Sequence, residues 1–364
     1  MTNRRQFLQQ ASLGAGGLLA ASALNPLMLA CAENEKRSLG VALVGLGNYS
    51  TGQLGPALRN TKHCHLAGIV SGSADKAAKW AKEYNISPQN VYTYETFDRI
   101  ADNPDIDFVY IVLPNSMHAE YAIRAAKAGK HVMCEKPMAT SVADAEAMIA
   151  ACKAANKKLA IGYRLYHEPF NREMMRLGQE KVHGAVRLIE ASFGWRGVGW
   201  DNWRFNHAMA GGGALMDVGI YCIRACSYVL GENPLSVMAT EVKTHPHFKE
   251  VDETLMWHME FPSGAVASCT TSYAINVERL HVAAENGDFG LSPAYSYDGQ
   301  RGYAGGKALE FPHIAEQSNH MDAFARHIRD NEANLTPGEM GLQDMKVIEA
   351  IYLSIKEKRR VSLV

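Results

Sequence analysis

The chain has 364 residues, 47% of them apolar, a formal net charge of −1 and seven cysteines. That length holds one large or two medium domains with buried cores, and the balanced charge argues against disorder and against a polyanion-binding surface, so no nucleic-acid partner is expected. The cysteines are too few and too irregularly spaced for a disulfide framework, no Cys-x-x-Cys pair occurs, and Cys222 and Cys226 read as core thiols, so no metal site is expected.

The first 32 residues differ in kind. Arg4 and Arg5 precede Phe7 and Leu8, and a Gly/Ala-rich run without a charge extends from Ala11 to Ala32. This layout resembles a twin-arginine export signal, with cleavage near Ala32, or with Cys31 as a lipidated first residue as the weaker alternative. It predicts an exported, periplasmic protein that meets the twin-arginine export machinery. No later apolar stretch is long enough to span a bilayer, so no transmembrane segment is expected.

From Leu39 short β-rich runs alternate with helical ones. LGVALVGLG, HLAGIVSG, IDFVYIVLP, HVMCEKP and LAIGY read as strands; ADKAAKWAKEY, HAEYAIRAAKAGK and ADAEAMIAACKAANKK read as helices. Alternation at this spacing predicts an α/β fold, a Rossmann-type parallel sheet with helices on both faces over residues 36–161. Beyond Gly162 the texture changes: VRLIEASFG, LSVMATEVKT, ETLMWHMEFP, AVASCTTSYA and RLHVAAEN are strand-like, separated by turn signals, and DMKVIEAIYLSIKEK closes the chain as a helix. Residues 162–364 are therefore expected to form an α+β domain with a large, mainly antiparallel open sheet that binds substrate and mediates oligomerisation.

Gly45 and Gly47 follow the first strand as a G-x-G that can approach a pyrophosphate at a helix N-terminus, with Ser50 in place of the third glycine. Asn48 and Tyr49 belong to the same turn. At the end of the second strand, where an NAD site carries an acidic residue, Ser71 stands instead, with Lys76 a few residues on; a hydroxyl and an ammonium favour the phosphate of NADP. The third strand runs into Leu113 and Pro114, after which Asn115 and Ser116 can cap a helix, and His118 is a candidate for the nicotinamide ribose or a surface residue of that helix start. Glu135, Lys136 and Arg164 stand at later strand ends on the same edge and complete the expected cofactor groove. Pro137 restricts the backbone of Lys136 to an extended form.

GLGNYS, VYIVLPNSMHAEYAIRAAKAGKHVMCEKPMATS, NKKLAIGYR and GGGALMDVGIY together resemble the glucose-fructose oxidoreductase, inositol dehydrogenase and MocA family of two-domain dehydrogenases. The resemblance extends from Leu39 to the C-terminus. It implies that Lys136, of the EKP motif, sits beside the nicotinamide and helps to polarise the reacting sugar carbon. The family's D-x-G-x-H motif matches Asp217 to Tyr221, with tyrosine where most members have histidine, and this departure resembles the glucose-fructose oxidoreductase branch. That branch implies a tightly bound NADP, oxidation of an aldose to its lactone, reduction of a second sugar to an alditol, and a homodimer or homotetramer.

The chemistry fits these residues. Oxidising a hydroxyl needs a group that takes its proton while hydride leaves the carbon, and the reverse reduction needs the same group as donor. A tyrosine, with an unperturbed pKa of about 10, serves only beside a cation, and Lys136 can supply it to Tyr221. Asp217, four residues before Tyr221, shares its face if this segment is helical and can orient the lysine or a sugar hydroxyl; its plainer role is a helix cap. Tyr166, Trp203, Arg204 and Tyr295, with Tyr297 beside it, are the further candidates for sugar contacts; Tyr166 and its neighbours His167 and Glu168 also suit a hinge, and Trp195 and Trp200 are weaker candidates that also suit core or subunit packing. Two alternatives stay open: a glycosidase that works by transient oxidation on a bound nicotinamide, and a simple NAD(P)-dependent aldose or polyol dehydrogenase.

Overall fold

Strand β1 (Leu39–Val44) is buried along its whole length, the pattern of a parallel strand covered on both faces. The structure is a computed structural model that describes residues 37–364. The expected export signal over 1–32, with Cys31, lies outside the described residues. After β1 a π-helical turn, Ser50–Leu54, leads into α1 (Gly55–Leu58). There follow β2 (Cys64–Val70), α2 (Ala74–Glu83), β3 (Val91–Tyr92), β4 (Phe108–Ile111), α3 (His118–Lys127), β5 (His131–Cys134), α4 (Val142–Ala154) and β6 (Leu159–Ile161). Local chemistry starts these helices: the hydroxyls of Ser73 and Ser141 cap α2 and α4 by accepting from the backbone of Lys76 and Asp144. All pairings are parallel, in the order β3-β2-β1-β4-β5-β6. The winding reverses between β1 and β4, which opens a crevice at the strands' carboxyl ends.

The second half runs α5 (Pro169–Gln179), β7 (Val186–Gly194), α6 (His207–Ala210), a π-helical turn over Leu215–Gly219, α7 (Ile220–Leu230), β8 (Ser236–Val242), β9 (Thr254–Glu260), β10 (Val266–Ser272), β11 (Val277–Ala284), β12 (Gly287–Leu291), β13 (Gly302–Ala304), β14 (Lys307–Leu309), α8 (Glu316–Asp330), α9 (Gly338–Glu357) and β15 (Val361–Ser362). Its nine-stranded sheet has the order β14-β13-β12-β11-β7-β10-β9-β8-β15 and is antiparallel except where β7 meets β10. The α/β architecture and the mainly antiparallel second sheet are therefore as expected.

Helix α8 has no counterpart in the sequence reading. It crosses back to the first sheet, where Met321, Phe324 and Ala325 join the core of β1, β2 and β4, and Phe324 meets Phe108 edge-on at 5.3 Å. The Asp322 carboxylate accepts from the backbone N–H groups of Lys62 and His63 at 2.7–3.0 Å, and Ile161 N–H donates to the Thr336 carbonyl at 2.8 Å. Among the described residues one helical stretch, His207–Leu230, is long and apolar enough to cross a membrane, but 83% of its apolar window is buried inside the protein.

Candidate active site

The crevice is shaped first by backbone. Gly45 turns at φ +95°, and a Cβ there would lie 2.4 Å from the Val112 carbonyl oxygen, so only glycine lets β1 end against β4. Above Gly47 the space is open, with no atom within 4 Å of where a Cβ would stand. Ser50, in place of the fingerprint's third glycine, is buried and donates its hydroxyl to the Gly45 carbonyl at 2.7 Å, bracing the turn. At the end of β2 no carboxylate appears; Ser71 is buried and its Oγ accepts from Ser73 N–H at 3.1 Å, while Lys76 is exposed on α2. A tight turn, open space at a helix start and an exposed lysine fit a nicotinamide dinucleotide.

Deeper in, Lys136 ends the β5 turn and its Nζ donates to the Asp217 main-chain carbonyl at 2.7 Å, with Asp217 Oδ1 at 3.4 Å. The other Asp217 oxygen accepts from Arg204 Nε at 2.8 Å and from the Tyr273 hydroxyl at 2.9 Å. Burial works to raise the Asp217 pKa, but Arg204 and then Lys136 outweigh it and hold the carboxyl well below the usual range. Tyr221 stands beside this group: Lys136 Nζ lies 4.8 Å from its ring centroid, and Arg164 Nε donates to its hydroxyl at 3.3 Å. Lys136, Asp217, Tyr221, Arg164 and Arg204, from distant parts of the chain, are thus brought together.

Asp217 caps no helix; it lies in the π-helical segment Leu215–Gly219, from which its carboxylate reaches Lys136, Arg204 and Tyr273. The π turn is held from outside: Asp252 accepts from Gly213 N–H at 2.6 Å, Leu215 N–H at 2.7 Å and the Tyr352 hydroxyl at 2.6 Å.

Several expected ligands face away from the crevice. His118 is neither a surface residue nor free for a ribose: it is 1% exposed, with ring nitrogens 2.8 Å from the Pro137 carbonyl and 2.9 Å from that of Leu113, tying together the loops after β4 and β5. Burial pushes its pKa down. Asn115 caps nothing; its amide donates to the Ala210 carbonyl at 2.8 Å and so links the two halves, while Pro114 only leads into this turn. Glu135 points back into the sheet, where it accepts from the Tyr110 hydroxyl at 2.6 Å; burial pushes its carboxyl up, partly offset by that hydrogen bond. Arg164 also pairs with Glu316 and donates to the Tyr295 carbonyl, contacts that hold it against the Tyr221 hydroxyl. Tyr295 is fully buried and is core rather than rim. The rim position belongs to Tyr297, which is exposed, 4.3 Å from the Arg164 guanidinium and stacked on Tyr49 at 6.0 Å. Tyr166 lies behind Tyr221, lining with it and Lys136 a cavity of ≈ 10 Å³, room for about one water. Asn48 is exposed and Leu113 buried at the crevice edge.

Sequence reasoning missed Tyr273, Asp252 and Glu316, which support the site from 37 to 152 residues away along the chain. No local signal marks them.

Fold and site together define an NAD(P)-binding oxidoreductase. Three adjoining segments match models of one family: oxidoreductase family, NAD-binding Rossmann fold, over residues 39–163; GFO/IDH/MocA C-terminal domain over 171–289; and oxidoreductase family, C-terminal alpha/beta domain, over 296–363. The chain belongs to the GFO/IDH/MocA oxidoreductase family. It is similar to the crystal structure of aldose-aldose oxidoreductase from Caulobacter crescentus complexed with glycerol, at 42% identity and a TM-score of 0.87, covering 90% of this chain and all (100%) of that one. It is 29% identical to D-xylose 1-dehydrogenase [NADP(+)] of Haloarcula marismortui, over 88% of this chain and 92% of the relative. D-glucoside 3-dehydrogenase of Escherichia coli is 25% identical over 89% of this chain and 97% of the relative.

Proposed function

We propose that this protein holds NADP tightly, oxidises an aldose to its lactone and reduces a second sugar, preferably another aldose, to an alditol. The observation that carries this reading is the Tyr221 phenol set between Lys136 and Arg164 at the carboxyl edge of the parallel sheet. The preference for an aldose over a ketose as the second sugar follows the similarity to the Caulobacter aldose-aldose oxidoreductase. The choice of NADP rests on Ser71, the exposed Lys76 and the NADP-dependent xylose dehydrogenase relative.

In this mechanism Tyr221 as phenolate, its charge offset by the Arg164 guanidinium at its oxygen and Lys136 at its ring, takes the proton of the reacting hydroxyl and is left as the neutral phenol. Asp217, kept ionised by Arg204, holds Lys136 in place. When bound, NADP supplies the hydride acceptor for the first half-reaction and the donor for the second. Tyr221 then returns its proton to the alkoxide formed on the second sugar. Because one proton carrier serves both directions, the site needs no second acid.

Purified protein mixed with single aldoses and with sugar pairs, without added nucleotide, is expected to form lactone and alditol in equal amounts. Product formation that requires continuous supply of free NADP would instead identify a simple dehydrogenase. Mass analysis of the nucleotide released on denaturation is expected to give NADP; NAD, or nothing, refutes tight NADP binding. We further propose export by the twin-arginine route, supported by Arg4, Arg5 and the uncharged run after them. Replacing both arginines with lysine is expected to keep the protein in the cytoplasmic fraction.

A further inference from the structure

We propose that Glu316, held against Arg164, sets the net charge that Arg164 presents to Tyr221, and so fixes the pH range in which one phenol can both take and return a proton. Glu316 is a positioning residue: it is buried and acts through Arg164. The inference rests on the reading of Tyr221 as the proton carrier.

Arg164 is the joint. Its Nε donates to the Tyr221 hydroxyl at 3.3 Å, its Nη1 pairs with Glu316, and its Nη2 donates to the Tyr295 carbonyl. The side chains of Arg164 and Glu316 are 4% and 2% exposed, so salt and water screen their pairing little. Glu316 Oε1 also accepts from the Gln317 amide at 3.3 Å, whose nitrogen lies 3.5 Å from Gln53 Oε1 on the turn after the G-x-G. The other oxygen of Glu316 is buried without a hydrogen-bond partner among the described residues. Burial pushes the Glu316 carboxyl up, and the Arg164 guanidinium is the main influence opposing it. The carboxylate therefore spends its charge chiefly on Arg164.

The arrangement repeats at the other cation. Lys136 is matched by Asp217 at 3.4 Å, and Asp217 is shared with Arg204, itself stacked on Trp203 at 4.6 Å. Each cation facing the phenol is thus paired with a carboxylate from a distant part of the chain. Two unmatched positive charges would hold Tyr221 as phenolate too firmly for it to act as donor in the second half-reaction. With no cation a tyrosine stays protonated at neutral pH and cannot act as base. A carrier that works in both directions needs an intermediate field, and Glu316 supplies the correction on the Arg164 side. The other titratable groups around this pair are Tyr49, Tyr297 and Glu135 near Arg164, and Glu168 and His313 near Glu316.

The test uses Glu316→Gln, which keeps the shape and an acceptor oxygen but removes the charge. Single-turnover reduction of saturating NADP by aldose, followed from about pH 6 to 10, is expected to accelerate in the wild type through one midpoint as Tyr221 loses its proton. In Glu316→Gln that midpoint should fall by about one unit, the order expected of one buried charge near the phenol. The reduction of the second sugar, which needs the protonated phenol, should fade at a pH lower by the same amount. Sugar KM and bound-nucleotide content should stay unchanged. Glu316→Asp, which keeps the charge but draws it away from Arg164, should give a smaller shift of the same sign, and decides alone if Glu316→Gln does not fold. Tyrosinate absorbance, taken as wild type minus Tyr221→Phe, reads the same midpoint without turnover and should move with it. A lower rate with an unmoved midpoint in both Glu316 variants would mean that Glu316 only anchors Arg164, and overturns the proposal. A midpoint that moves in His313→Gln and not in Glu316→Gln overturns it as well. Tyr221→Phe separates the two readings. If it keeps the wild-type rate and profile, the proton-carrier reading fails and this inference with it; if it abolishes the rise while the Glu316 variants leave the midpoint in place, only the role of Glu316 fails.

Discussion

Two cations face the Tyr221 phenol from different elements, Lys136 over the ring and Arg164 at the oxygen. Removing the hydroxyl removes the proton carrier and leaves the cations in place. Tyr221→Phe is therefore expected to slow both half-reactions by about 10²- to 10⁴-fold, the usual worth of a general acid/base, with bound-nucleotide content unchanged. Single-turnover reduction of the cofactor by aldose, followed by absorbance, measures the first half; an unchanged rate would exclude Tyr221 from proton transfer. Lys136 and Tyr221 were legible because each sits in a short motif whose place on a strand end or helix start is itself readable. Arg164 was legible as a residue, but its partners Glu316 and Tyr295 come from loops and helices far along the chain. Tyr295 and Tyr297 show the limit: two residues apart in one loop and both expected at the rim, they part because tertiary packing alone decides which ring enters the core.

The π-helical turn that carries Asp217 depends on a single carboxylate. Asp252 takes the backbone N–H groups of Gly213 and Leu215 and the Tyr352 hydroxyl. Asp252→Ala leaves these donors unpaired, at an expected cost of roughly 3 kcal/mol or more, since hydrogen bonds to a charged group contribute about 1.5–3 kcal/mol each. Urea unfolding measures that loss, and activity should fall further than stability explains because Asp217 and Tyr221 share the segment. The regular strands and helices of the first sheet were readable because their apolar runs are continuous. Helix α8 was not read, although Met321, Phe324, Ala325 and Ile328 repeat at helical spacing. Buried polar residues of the same helix, Gln317, Ser318, His320 and Asp322, dilute its apolar signal, and each is buried only because a distant segment accepts it. Strands β13 and β14 are three residues long and carry too little pattern to be seen.

At the scale of the molecule, the second sheet presents Met238, Val242, Met256 and Val266 on its outward face, all between 43% and 55% exposed. We propose that a second copy covers this face, giving a homodimer or homotetramer. Met256→Lys is expected to yield monomer in light scattering, and an unchanged mass would place the interface elsewhere. Acid stability depends on a different buried feature, the His167 ring stacked on His320 at 4.5 Å. Burial lowers the His167 pKa to about 4 and lowers that of His320 as well. With unfolded values near 6.5, the unfolded chain binds more protons between about pH 6.5 and 4, so stability is full above that window and declines as pH falls through it, by about 3 kcal/mol at most for His167 alone. Stability measured against pH should show this limb, and His320→Gln should flatten it. The return of α8 to the first sheet also sets an order of events during synthesis. The nucleotide-binding half cannot close its apolar face until residues 316–337 have left the ribosome, so a nascent or truncated chain exposes the surface of Phe108 and its neighbours.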